Sequence, residues 1–269
     1  MCRMLRHTSF LVVFVLAVLC NLNMAWAEQD NRYIYNQALQ DAMLAEEDEI
    51  CRSLIAIAPG NKNLVWQEGC VLVVTWTRYP ESFPPGKEIT TRWGDTWVTA
   101  VPELKQFVLK NELSEENTLR IEQVLGLPPQ SGNMWFAELW VKPDDLFRPS
   151  PDPEITDTEA CLKFKDSVTE EHKAWFNNTI MFLYFGDKKY PWTRLGYTYD
   201  WGNPCSEIGL SEFVIRKGSS ITVKSLQSNE AYIKQAREDK AAKTVSMAAA
   251  CWNAGFLTEL FRLHARPET

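Results

Sequence analysis

The first 27 residues limit this chain more than any other feature. Arg3, Arg6 and His7 precede an eleven-residue apolar run from Phe10 to Cys20, and Ala25-Trp26-Ala27 then fits the small-x-small cleavage rule. Eleven apolar residues are too few to cross a bilayer, which takes about 20 in a helix. The pattern predicts a cleaved signal peptide over 1–27 and a single soluble domain over 28–269, exported to the periplasm or secreted. A retained signal anchor is the competing reading. Lipid attachment at Cys20 fits less well, because bulky Leu19 precedes it.

Removing the leader takes away two arginines and no acids. The net charge moves from −7 to −9, with 26 basic residues against 35 acidic ones. An acidic chain without a long Lys/Arg run is a poor partner for nucleic acid, where phosphate contacts dominate affinity. For the same reason it is a poor binder of anionic membrane surfaces. With 45% hydrophobic and 23% charged residues it is no disordered or low-complexity sequence.

Export also sets the reading of the cysteines. Cys51, Cys70, Cys161, Cys205 and Cys251 remain, and an oxidising compartment makes them disulfide candidates. Five leaves one thiol over. The preferred pairing is Cys51–Cys70 and Cys161–Cys205, with Cys251 free in an Ala-rich helix, although spacing alone leaves fifteen two-bridge arrangements open.

Periodicity predicts a helix over Tyr33–Ile57, interrupted by the acidic run Glu46–Glu49 and stopped at Pro59-Gly60. Strands follow at Leu64–Trp66, Val71–Thr77, Glu88–Val101 and Met134–Val141, the first two joined by a turn at Gln67-Glu68-Gly69. Ser114 opens an amphipathic helix that closes at Gly126, and Ile155–Tyr184 reads as helical. Pro191–Trp201 alternates like a strand, and Phe213–Ile215 with Ile221–Val223 suggests a hairpin across Lys217-Gly218-Ser219. A long helix is expected over Asn229–His264, with Trp252 and Phe256 on its apolar face. The fold class is therefore α+β, with a central, mainly antiparallel sheet flanked by N-terminal and long C-terminal helices.

The chemistry is defined first by what is missing. Beyond the leader only His172 and His264 remain, and neither a His-Glu-x-x-His nor a paired Cys-x-x-Cys pattern occurs, so no metal site is expected. The Asp144–Glu159 segment is rich in carboxylates but lacks regular calcium-loop spacing, so helix capping explains it more simply. No Gly-x-Ser-x-Gly elbow, phosphate loop or dinucleotide fingerprint is present, and no cofactor is expected.

Carboxylates, arginines and aromatics remain. Ten tryptophans follow the leader, most of them in or beside predicted strands. Thr91-Arg92-Trp93-Gly94-Asp95-Thr96-Trp97 echoes Thr193-Arg194-Leu195-Gly196-Tyr197-Thr198-Tyr199. Strand alternation would give each segment an aromatic-rich face and an Arg-Gly-Thr face. Either the aromatics are core and the polar face is solvated, or the polar faces line a cleft. In the second case Arg92, Trp93, Arg194, Tyr199, Asp200 and Trp201 are the ligand-binding candidates, contacting a glycan or another polar extracellular or envelope ligand. A carboxylate-based glycan hydrolase is the first alternative, with Asp95, Glu138, Asp200 and Glu212 as candidate acids. A protein-interaction or inhibitor module with an exposed aromatic patch is the second.

Overall fold

Val71–Thr77 is β-branched and apolar on both sides of its alternation, which suits a strand covered on both faces. In the computed structural model, which describes residues 29–242 other than Glu115, that segment lies inside an eight-stranded sheet. The strands are β1 (Trp66–Gln67), β2 (Cys70–Thr77), β3 (Glu88–Thr90), β4 (Thr96–Ala100), β5 (Trp135–Val141), β6 (Leu146–Phe147), β7 (Tyr197–Tyr199), β8 (Ile208–Ser211), β9 (Phe213–Ile215) and β10 (Ser220–Ser228). The large sheet runs β3-β10-β5-β2-β4-β9-β6 with β1 paired to β2, and β7 and β8 form a separate pair. Every pairing is antiparallel. The edge strands β3 and β6 have three and two residues, which leaves little unpaired backbone.

The helices are α1 (29–41), α2 (Val101–Lys110), α3 (Thr118–Val124), α4 (Glu170–Phe185) and α5 (229–242). Val71 and Val73 of β2 and Ala137, Leu139 and Val141 of β5 face one core, closed by Ile57, Phe83 and Ile155. Leu72, Val74, Trp76 and Phe136 face the other, closed by α2, α3 and the start of α5 through Leu104, Ile121, Tyr232 and Ile233. Each such side chain contributes roughly 1.5–3 kcal/mol relative to exposure. No helix among the described residues is long and apolar enough to cross a membrane.

Several expectations change. The helix expected to reach Ile57 ends at 41. The acidic run becomes a single 3₁₀ turn at Glu47–Glu49, and Leu54 and Ile57 are instead buried from an extended segment whose amides bond to Thr158 and Ile155. Glu88–Val101 breaks into β3 and β4 around Gly94, at φ 147°. The strand expected to stop at Pro102 ends sooner, and Val101 instead opens α2, with Pro102 in its first turn. The Ile155–Tyr184 helix is confined to α4. The expected Phe213–Val223 hairpin does not form, because β9 pairs with β4 and β6 while β10 pairs with β3 and β5.

Cys51, Cys70, Cys161 and Cys205 are free thiols, so the expected Cys51–Cys70 and Cys161–Cys205 bridges are absent. The fold puts the preferred partners in different surroundings. Cys51 is buried among Leu54, Leu195 and Tyr197, whereas Cys70 opens β2 opposite Gln67. Cys161 lies beside Asp152 and the Lys163 carbonyl, whereas Cys205 sits in an exposed turn. The expected leader, Cys251, and the expected helical stretch beyond 242 with Trp252, Phe256 and His264 lie outside the described residues.

Candidate functional site

Several large aromatic side chains surround a cavity of about 530 Å³ bordered by β2, β4, α2 and the 125–127 turn, with Trp76, Trp97, Thr75 and Thr99 in its walls. Tyr79 and Trp93, both more than half exposed, stand among its lining residues. A second cavity of about 320 Å³ adjoins it, lined by Trp192, Tyr190 and Phe182. The two share Trp97, Leu125, Leu127, Thr198 and Glu212.

The shared wall is rigid. Trp97 meets Trp192 edge-on at 5.9 Å and Trp175 at 6.2 Å. The indole N–H of Trp192 donates to the Pro149 carbonyl (3.2 Å), and that of Trp175 to Asp95 Oδ2 (2.7 Å). Thr198 Oγ1 donates to the Val124 carbonyl (2.5 Å) and accepts from the Leu210 amide (2.9 Å). These contacts lock side chains from three separate elements around one opening.

Glu212 joins β8 to β9, its amide donating to the Gly196 carbonyl (2.9 Å). Its Oε2 is buried without a hydrogen-bond partner, and burial alone pushes its carboxyl up to about 8. The other candidate acids each hold charged or polar partners, although Glu138 Oε1 is likewise buried without a hydrogen bond and has only an ion pair. Glu138 receives Lys224 Nζ at 2.7 Å and Lys105 Nζ at 3.3 Å. Asp200 holds Arg120 with both oxygens, at 2.7 and 2.6 Å. Asp95, which lines the larger cavity, accepts from Trp175 through Oδ2 and from the Lys217 amide through Oδ1 (2.9 Å). An acid that no donor stabilises as an anion stays protonated at neutral pH and can itself donate.

The six residues singled out from sequence do not all meet: Tyr199, Asp200 and Trp201 line one groove with Asp41 and Glu207, whereas Arg92, Trp93 and Arg194 lie apart from it. Arg92 is exposed on a shallow groove with Glu81 and Glu88, and Trp93 packs edge-on against Phe83 where that groove meets the larger cavity. Arg194, at φ 62°, bonds to the carbonyls of Ala42 and Met43 and lies over the Tyr184 ring, fastening the end of α1. Asp200, 3% exposed, is spent on Arg120. Trp201, 4% exposed, donates to the Leu127 carbonyl and packs against Tyr35. Tyr199 bonds to Asp41 and lines the smaller cavity. Only Trp93 and Tyr199 reach the paired cavities.

Glu212, Trp97 and Thr198 line both cavities, and Trp192 lines the smaller one. Glu212 was one of four candidate acids, but nothing local distinguishes it from Glu138 or Asp200, because its character comes from the partners it lacks. Among the described residues no group of His, Cys, Asp and Glu could hold a metal ion. No family model, curated protein or solved structure matches the chain.

Proposed function

We propose that this is an exported ligand-binding protein whose site is the paired aromatic cavity around Glu212. The observation that carries this reading is the buried, unpartnered Oε2 of Glu212 on the wall shared by both cavities. Leaving such a group unsatisfied costs about 1–3 kcal/mol. A core under no other demand would hold an apolar side chain there, whereas a ligand oxygen in the cavity recovers the lost hydrogen bond.

The surrounding residues limit the ligand class. Indole and phenol rings offer flat apolar faces, and Thr75 and the Glu212 carboxyl add polar groups among them, whereas the hydroxyls of Thr99 and Thr198 donate to Glu103 and the Val124 carbonyl. A pyranose ring matches both features, with C–H faces for the indoles and hydroxyls for Thr75 and the Glu212 carboxyl. The site therefore takes a glycan through aromatics and a neutral acid, without the arginines first suspected. Export rests on the leader. Tyr232, Ile233 and Ala236 of α5, packed in the core, and Tyr35 of α1 against Trp201 support helices flanking the sheet at both ends.

Intrinsic tryptophan fluorescence tests the reading. Titration with chitotriose, cellotriose, maltotriose and xylotriose is expected to give a saturable change with at least one of them. Glu212→Leu and Trp97→Ala should each weaken that binding tenfold or more. Failure of all four sugars to bind, or binding indifferent to both substitutions, would contradict it.

A further inference from the structure

We propose that Glu212 and Asp95 form an acid–base pair that hydrolyses a glycosidic bond held in the larger cavity. This rests on the glycan-binding reading above and adds chemistry to it. The two carboxyl groups line one cavity and have opposite hydrogen-bonding environments. Asp95 has a donor on each oxygen: the Trp175 indole from α4 on one and the Lys217 amide after β9 on the other. Donors on both oxygens fix its orientation, while leaving lone pairs free to take a further proton. Glu212 has no donor at its buried Oε2, which favours the neutral acid. A buried acid without a donor and an oriented carboxyl group in the same cavity can divide the roles of acid and base between them.

The step balances with water as co-reactant. The Glu212 O–H bond breaks and its proton passes to the glycosidic oxygen, as the bond from that oxygen to the anomeric carbon breaks and its electron pair stays on the departing alcohol. Asp95 takes a proton from water, whose oxygen forms the new bond to the anomeric carbon. The products are an alcohol and a hemiacetal. Asp95 then releases its proton to solvent and Glu212 regains one, which restores both groups.

The test incubates purified protein with the four trisaccharides above and with 4-nitrophenyl β-glucoside, β-xyloside and N-acetyl-β-glucosaminide. Cleavage is followed by chromatography and nitrophenolate absorbance, and binding by fluorescence. Wild type is expected to cleave at least one compound, and its rate should fall as pH rises through about 8, where Glu212 loses its proton. Glu212→Gln and Asp95→Asn should each lower the rate about 10²-fold or more while binding changes less than tenfold. If Asp95→Asn fails to fold, the near-isosteric Glu212→Gln decides alone. A trisaccharide that binds but stays intact overturns the hydrolytic inference and leaves the binding reading standing, as does cleavage unchanged in Glu212→Gln. Loss of binding by every sugar removes both.

Discussion

Arg120 and Asp200 face each other in a two-pronged contact, Nη1 to Oδ1 at 2.7 Å and Nη2 to Oδ2 at 2.6 Å, and Asp200 is almost wholly buried. Asp200 Oδ1 also accepts from the Gly202 amide, so the pair ties α3 to the turn after β7. Removing one partner strands the other charge. Asp200→Ala is expected to lower stability by about 3–5 kcal/mol, read as the midpoint of urea unfolding. Unchanged stability would show that the contact is not held in solution.

Gly196 sits at φ 75° against Arg148, a fully buried arginine whose guanidinium bonds to the carbonyls of Glu154 and Asp157. A Cβ at this glycine would lie 2.6 Å from Arg148 Cδ and 2.8 Å from Cγ. Those carbons cannot retreat without breaking the guanidinium bonds. Gly196→Ala is therefore expected to cost about 2 kcal/mol or more through steric overlap and left-handed backbone strain. Gly218, also left-handed but with open space where its Cβ would go, is the control. Gly218→Ala should cost less, as differential scanning calorimetry will show.

Glu212 makes stability depend on pH. The folded protein keeps this proton up to about pH 8, whereas the unfolded chain releases it near 4.5. The folded state therefore binds more protons between those values, and the stabilisation present below pH 4.5 is lost as pH rises through about 8. The swing is roughly 5 kcal/mol. Glu212→Gln cannot titrate, so its unfolding midpoint, followed from pH 4.5 to 9, should fall less steeply than that of wild type.

The proposal that residues 1–27 are a cleaved leader predicts a specific processing product. Protein recovered from its native source should begin at Glu28, and intact mass spectrometry checks this directly. A species retaining Met1 would contradict export.

Some of this was legible in the chain because it is local. β2 and β5 follow from runs of β-branched and aromatic residues, and the β1–β2 turn follows from Glu68-Gly69, both at positive φ. α2 was missed because Pro102 ends a strand as readily as it opens a helix. The β9–β10 hairpin failed because strand partners come from residues far along the chain. The same distance explains the binding residues. Asp200 meets Arg120 80 positions away and Trp201 meets Leu127 74 positions away, so a polar residue that reads as free in sequence is already engaged. Glu212 is the converse, an ordinary acid made unusual by apolar walls brought together from α2, β4 and the 190–198 segment.

The proposed binding site depends on Glu212 standing protonated in the aromatic cavity. Side-chain carboxyl carbon-13 shifts, followed by NMR from pH 3 to 10 in wild type and Glu212→Gln, measure this directly. One glutamate resonance should titrate near pH 8 and vanish in the variant. If every glutamate titrates between about 3 and 5.5, Glu212 is an ordinary carboxylate and the site loses its acid.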